Sequence, residues 1–305
     1  MKSYNCEPTL TDSQVLEFCK RGYLKLEGVV PDEINARVLR YRALHPGTEI
    51  HQILDEPWFV EGVLCNPAAA GAVRSLLGQD FFLPHLMFSH LSRAPFEAQG
   101  WHRDGYATHG PALNYLQVFY YPQDAPLEMG PTEFLPGSHF LYAPSRYMGH
   151  YDRIAGAFHS VAPAGSIWIT AYTIWHRRPR ATATGVRDML KYNYFRQSAP
   201  VRDWIQEPGF DPKTADYSSP FGPTFREQFR ESLDVAEMFA WLCGRHAEYS
   251  ALGGQSWPLP TKYLNDERYG YPFENSNALK TAPLNGTNGY HNASTEERVS
   301  CSAIK

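Results

Sequence analysis

The stretch WHRDGY, Trp101 to Tyr106, sets a histidine and a carboxylate two residues apart, His102 and Asp104. Forty-eight residues later the chain repeats that spacing with His150 and Asp152. Alternate residues of a strand point to the same face, so His102 and Asp104 predict two ligands reaching one ion. A third must come from elsewhere, and His176 closes the apolar run SIWITAYTIWH, where a sheet can deliver a side chain into its own interior. Two imidazoles and one carboxylate on one side of an ion leave coordination positions open, the arrangement suited to Fe(II) centres that activate O2. The second pair sits in the polar loop RYMGHYDRIAG, without strand alternation, and reads as surface. Arg187 lies eleven residues after His176. Its planar fork matches a carboxylate bidentately, as the distal end of an iron-chelating keto acid such as 2-oxoglutarate requires. A hairpin between the two segments is expected to bring it near the metal.

The elements that must position these residues change character along the chain. Thr11-Asp-Ser-Gln14 reads as a capping box opening a helix with Val15, Leu16, Phe18 and Cys19 on its apolar side, and Gly22 is placed to end it. A strand follows over Tyr23 to Leu26. A second helix begins near Pro31 and carries Ile34, Val38 and Tyr41, and a third runs from about Pro67 to Leu77 before Gly78. Residues 80 to 200 are aromatic and β-branched in short runs broken by Gly and Pro, the texture of an antiparallel sandwich or barrel. NYLQVFYY, TEFLPGSH, GSIWITAYTIWH and MLKYNYFR are the clearest strands. Phe225, Phe229, Leu233, Ala236, Phe239 and Leu242 recur at helical spacing and predict a helix near 224–246 covering the sheet. Residues 1–274 are expected to form one domain, and 275–305, rich in Asn, Thr, Ser and Gly, a disordered tail.

Composition narrows the partners. With 305 residues, 43% hydrophobic, the chain can bury a substantial core. A net charge of −4 without a basic run argues against nucleic acid. No apolar run of bilayer length occurs, which argues against a membrane partner. Five scattered cysteines without CxxC spacing fit a reducing, cytoplasmic setting.

Taken in order, the opening TDSQVLEFCKRGYLKLEGVV, the metal motif WHRDG, the GPTEFLPGSH turn, and His176 followed by Arg187 resemble the phytanoyl-CoA dioxygenase family of Fe(II)/2-oxoglutarate oxygenases, over roughly residues 10 to 200. The resemblance implies a mainly β fold with flanking helices, a double-stranded β-helix of the jelly-roll, cupin-like kind. It implies an iron triad of His102, Asp104 and His176 and a 2-oxoglutarate anchor at Arg187. The implied reaction takes Fe(II), 2-oxoglutarate and O2, releases succinate and carbon dioxide, and oxidises a small organic molecule. Many members have Asn-Gly before the PGSH turn where this chain has Met129-Gly130, a structural position. A halogenase would need Asp104 replaced by Gly or Ala. The rival reading outside this chemistry is a non-catalytic jelly-roll protein that binds a small molecule.

Other residues admit two readings. Gln117 meets 2-oxoglutarate or substrate if Tyr115, Gln117 and Phe119 face inward, or else makes a core hydrogen bond. Tyr106, His109, Tyr115, Trp168 and Tyr172 are candidates to line the substrate pocket, although aromatic residues in sheets often build core. His90 and His139 are further histidines, the latter structural within PGSH. Lys191 and Arg196 are the alternative cations for anchoring the cosubstrate. Arg177, Arg178 and Arg180 crowd the turn after His176, either paired with nearby acids on a solvated loop or facing an anionic substrate.

Overall fold

A computed structural model describes residues 1–105, 110–141, 145–219, 221 and 225–248. Tyr106 and His109, the boundary at residue 274 and the expected tail over 275–305 lie outside the described residues.

The larger sheet is antiparallel and runs in the order Ser3–Tyr4, Phe81–Phe82, Leu190–Phe195, Tyr115–Tyr121, Ser166–Ala171 and Tyr23–Leu26, with Met87–Ser89 also paired to Leu190–Phe195. The smaller sheet runs Phe158–His159, Glu133–Phe134, His176–Arg177, Trp101–His102 and Tyr147–Met148. Ala181–Arg187 and Ser92–Phe96 form a separate pair. Trp101–His102, Tyr115–Tyr121 and Glu133–Phe134, and again Ser166–Ala171, His176–Arg177 and Leu190–Phe195, alternate between the two sheets, which is how a double-stranded β-helix is wound. The fold is mainly β with flanking helices, as the strand texture implies.

The period of two divides the central strand between two environments. Leu116, Val118 and Tyr120 point outward into the larger core, together with Ile167, Ile169, Leu190, Tyr192 and Tyr194. Helix residues Val15, Phe18, Val38, Ala69, Val73 and Leu76 close that core from outside. Each such aliphatic or aromatic side chain contributes roughly 1.5–3 kcal/mol on burial. Tyr115, Gln117, Phe119 and Tyr121 point the other way, toward the smaller sheet. Phe119 meets Phe134 at 5.1 Å between ring centroids, and Trp168 meets Phe134 at 5.8 Å. The site is built between these two inner faces.

The helix ends follow their local signals. Thr11 caps Asp12–Arg21 through a full capping box, and Gly22 ends it with φ of 76°. Asp32–Leu44 and Pro67–Leu77 occupy the second and third expected places. The helix Phe225–Leu242 is present and packs on Asp12–Arg21, its buried residues joining the core on the outer side of the larger sheet. Its buried side carries Val235, Met238, Phe239 and Leu242, and Leu233 and Ala236 are only half-buried, so the apolar stripe is rotated from the expected one. Beside it runs a segment whose Trp204, Phe210 and Tyr217 all pack on Phe239. That segment is tied down by Asp12, whose buried carboxylate accepts from Arg202 at 2.7 Å through each oxygen, from Trp204 Nε1 at 2.8 Å and from the Glu207 backbone at 2.7 Å. Among the described residues no helix is long and apolar enough to cross a membrane.

Candidate active site

His176 and His102 are direct partners across adjacent strands of the smaller sheet, so they share one face and project inward with their ring centroids 4.6 Å apart. Asp104 reaches them by a different route from the one the spacing suggests. The strand Trp101–His102 ends before it, and Asp104 stands in the loop beyond, not two positions along a strand. A tight turn at Gly105, φ 57°, follows. A Cβ there would collide with the Tyr172 hydroxyl, so glycine allows Tyr172 to lie beside the carboxylate. One ligand atom from each of His102, Asp104 and His176 lies within 4.8 Å of the others. His102 Nε2 is 3.8 Å from Asp104 Oδ1, and His176 Nε2 is 3.6 Å from Oδ2.

The orientation of each imidazole is fixed by the backbone. His102 Nδ1 lies 2.9 Å from the Gly100 carbonyl and His176 Nδ1 lies 3.1 Å from that of Ile174. A carbonyl oxygen only accepts, so each Nδ1 carries the proton and each Nε2 presents a lone pair to the shared space. The Nε2 of His176 is buried without a hydrogen-bond partner. Burial, reinforced by the second imidazole, pushes His102 down to about 4, keeping it neutral near pH 7. Burial alone would raise the Asp104 carboxyl. The positive charge beside it, the Lys191 ammonium in contact with Oδ2, overcomes that and holds it far below the usual carboxylate range. Two imidazole nitrogens and one anionic oxygen around a gap are a donor set that fits a divalent first-row metal.

Gln117 shares the inner face with Phe119, as the alternation requires, and its Nε2 donates to Asp104 Oδ2. Lys191, directly opposite Phe119 on the next strand, donates to the same oxygen. Arg187 does not arrive by a hairpin with His176. The two strands belong to different sheets, and Ala181–Arg187 pairs instead with Ser92–Phe96, its register shifting between Ala181 and Gly185. Its guanidinium is nonetheless buried inside, 4% exposed, with Nη2 donating to Thr132 Oγ1 at 3.1 Å, the Tyr121 hydroxyl beside it, and Nε without a partner. Tyr121 lies two residues beyond Phe119 on the same face, about 7 Å further along the strand. Phe119 in turn touches His176 at 5.3 Å between centroids. The hydroxyls around Arg187 are themselves fixed: Tyr121 Oη is 2.7 Å from Ser160 Oγ and accepts from the Thr132 backbone at 3.1 Å.

The remaining candidates separate in space. Tyr115 packs edge-on against Tyr172 at 4.6 Å and forms one wall with it. Trp168 is buried among Tyr23, Phe134 and Phe158 in the aromatic layer behind the histidines. His139 is structural: its Nε2 bonds to the Cys19 carbonyl at 2.9 Å. Arg196 is directed to the Leu76 and Leu113 carbonyls rather than to the site. The arginine cluster is matched by nearby groups. Arg177 donates to Glu133 at 2.6 Å and lies 3.6 Å from Asp152, Arg178 bonds Ser92 at 3.0 Å, and exposed Arg180 lies 3.5 Å from Glu97. Asp152 of the second HxD is thus the partner of an arginine on the outer face, and it joins no metal-like cluster among the described residues. Sequence reasoning missed Thr132 and Tyr121 as neighbours of Arg187 and did not place Lys191 beside Asp104. His90 was left without a role, yet it lies close enough to Lys191, Arg187, Asp104 and His176 to feel all four, and burial with the two cations pushes it down to about 3.

A profile of the phytanoyl-CoA dioxygenase (PhyH) family matches residues 18–187. The chain belongs to that family. It is a non-haem iron, 2-oxoglutarate-dependent oxygenase. No curated protein matches it in sequence. Among solved structures, HygX from Streptomyces hygroscopicus with iron bound superposes with a TM-score of 0.50 at 14% identity, over 62% of this chain and 88% of that one. HygX with nickel and 2-oxoglutarate bound gives 0.50 at 15% identity over the same shares. At such identity the likeness is one of fold, and it agrees with the double-stranded β-helix of the PhyH family described above.

Proposed function

We propose that His102, Asp104 and His176 hold the iron of this oxygenase and that Arg187, with Thr132 and Tyr121, holds the distal carboxylate of 2-oxoglutarate. The observation that carries this is the meeting of three ligand atoms around a gap, with both Nδ1 atoms committed to carbonyls and the His176 Nε2 left without a partner. When bound, iron and 2-oxoglutarate supply the oxidising power: the cosubstrate is decarboxylated to succinate and carbon dioxide while dioxygen is reduced and a substrate C–H bond is oxidised.

The protein's share is placement and exclusion of water. The backbone carbonyls of Gly100 and Ile174 aim the imidazoles, and Gln117 holds one carboxylate oxygen of Asp104 so that the other is free to ligate. Gln117 therefore acts on Asp104 rather than directly on the cosubstrate. Phe119 and Phe134 flank His176 and keep the cosubstrate channel dry, which strengthens the charge pairing at Arg187. Tyr115 and Tyr172 form the wall against which a small organic substrate rests, and Tyr147, 58% exposed, stands beside His102 at the open side. A cytoplasmic setting belongs to the same proposal and suits the free thiols of Cys6, Cys19, Cys65 and Cys243.

The test is anaerobic titration of the metal-free protein with Ni(II) and then 2-oxoglutarate, followed by aerobic assay of the Fe(II) form for succinate. One metal per chain, cosubstrate binding that depends on it, and iron-dependent succinate are expected. Metal binding that survives in His176→Ala would show that the ion sits elsewhere.

A further inference from the structure

We propose that Lys191 is the anchor for an anionic group on the substrate, so that this oxygenase acts on small molecules bearing a carboxylate or similar charge. The inference rests on the iron and 2-oxoglutarate reading above and adds the substrate class to it.

Lys191 sits on the inner face of Leu190–Phe195, directly opposite Phe119, with its side chain only 11% exposed. Its ammonium lies 5.5 Å over the Phe119 ring and donates to Asp104 Oδ2. That carboxylate is the one anionic ligand of the metal site. Once a dication shares it, the ammonium keeps at most a fraction of its partner, because one negative charge then answers both. The charges of the loaded site make the point. Iron(II) and the Arg187 guanidinium are balanced by the Asp104 carboxylate and the two carboxylates of 2-oxoglutarate, and Lys191 is left over. A desolvated cation beside a dication is strongly unfavourable without a counter-charge.

No other acid among the described residues is placed to supply it. Asp188 pairs with Arg42 at 3.7 Å, and Glu133 pairs with Arg177 on the opposite face of the smaller sheet. His90, close by, is neutral. Beside Lys191, Asn193 Oδ1 and, opposite it, Gln117 Oε1 are buried acceptors without a partner, so they would take a donor elsewhere on the substrate while the ammonium takes its anion. An anion held by Lys191 leaves the rest of a substrate to extend over Tyr115 and Tyr172, whose rings meet at 4.6 Å. Of the cluster Arg177, Arg178 and Arg180, the other candidate for such recognition, Arg177 and Arg180 have acid partners, and Arg178 bonds Ser92 on the side of Arg187 rather than of Lys191.

The experiment uses the full chain loaded anaerobically with Ni(II) and 2-oxoglutarate. A panel of carboxylates, aliphatic from acetate to decanoate and aromatic from benzoate to indole-3-acetate, is compared with the matching primary amides by shift of the thermal midpoint and by calorimetry. Wild type, Lys191→Met and Lys191→Arg are measured side by side. In wild type at least one carboxylate should bind on the order of tenfold more tightly than its amide, the preference vanishing in Lys191→Met and returning in Lys191→Arg. Equal binding of acids and amides, binding of neither, or a preference that persists in Lys191→Met overturns the assignment. Failure of wild type to take up Ni(II) and 2-oxoglutarate is a separate result, seen before any panel member is added, and it removes the metal reading together with this one.

Discussion

Replacing Arg187 by methionine should move stability and cosubstrate binding in opposite directions. The guanidinium is 4% exposed, its Nε has no partner, and it is met by the Thr132 and Tyr121 hydroxyls, with the Asp188 carboxylate nearby but paired with Arg42. Burial works against its charged form, so before ligand arrives the side chain is a liability to the fold. Methionine keeps most of the stem and removes the unsatisfied donors. Relieving one such buried group is worth about 1–3 kcal/mol, so the metal-free and cosubstrate-free variant should melt a few degrees higher than wild type. The bound state reverses the balance. Losing a bidentate, charge-assisted pair in a dry pocket costs roughly 2–5 kcal/mol, or roughly 30-fold to several thousand-fold in the 2-oxoglutarate dissociation constant. Ni(II) affinity should stay near wild type because the metal ligands are untouched. Calorimetric titration of the Ni(II)-loaded proteins with 2-oxoglutarate, beside thermal scans of the metal-free ones, measures both signs. A variant that binds 2-oxoglutarate as wild type does would refute the anchor. A lowered midpoint in the metal-free form would refute the claim that the fold carries this charge for the sake of a ligand.

Other substitutions separate chemistry from architecture. His102→Ala, Asp104→Ala and His176→Ala should each lose Ni(II) binding by calorimetry while His150→Ala keeps it, and the reverse pattern would move the site to the second HxD. Arg177→Ala should destabilise by about 3 kcal/mol in urea unfolding, because Glu133 is left buried without its 2.6 Å partner, whereas exposed Arg180→Ala should change stability by less than about 0.5 kcal/mol. Similar values for the two would mean that Arg177 and Glu133 are not a desolvated pair. Burial pushes His139 down to about 4 in the fold, below its ordinary 6.5. Above pH 6.5 this has no effect on stability. As pH falls from 6.5 toward 4 the unfolded chain takes up a proton that the native imidazole refuses, lowering stability by up to about 1.4 kcal/mol per pH unit. His90 and His102 act with the same sign. Urea unfolding of His139→Gln at pH 7 and pH 5 should show a shallower loss than wild type, and an unchanged slope would remove His139 from the acid sensitivity.

What the sequence makes legible is what is settled within a few residues. Thr11 and Gln14 satisfy each other's backbone donors across three positions, and Gly22 closes the same helix, so both ends of Asp12–Arg21 are readable locally. The alternation in Tyr115–Tyr121 correctly assigns Gln117 and Phe119 to one face, since the period of two is a property of the strand itself. Pairing across distance is another matter. The pairing of Ala181–Arg187 with Ser92–Phe96 and the packing of Trp204 and Tyr217 on Phe239 join residues far apart in the chain, and no local pattern encodes either.

The site divides along the same line. Ligand types are chemically restricted, so a histidine, a carboxylate two residues on and a histidine at the end of an apolar strand stand out by composition. The structure brings these three side chains together, but not through a shared strand, because Asp104 reaches the histidines from a loop turned by Gly105. The groups that aim those ligands leave no trace of this kind. Gly100 and Ile174 contribute carbonyl oxygens that every residue possesses, and Thr132 and Ser160 contribute hydroxyls from ordinary loop positions. Lys191 falls between the two cases. A lysine inside LKYNYF, where the neighbouring strand positions are aromatic, is a visible anomaly, because an ammonium is rarely buried without a partner. Only the register that sets it opposite Phe119 shows the partner to be Asp104. Asp104 is also the carboxylate proposed above as a metal ligand, and that competition for one negative charge is what links the lysine to the proposed charge of the substrate.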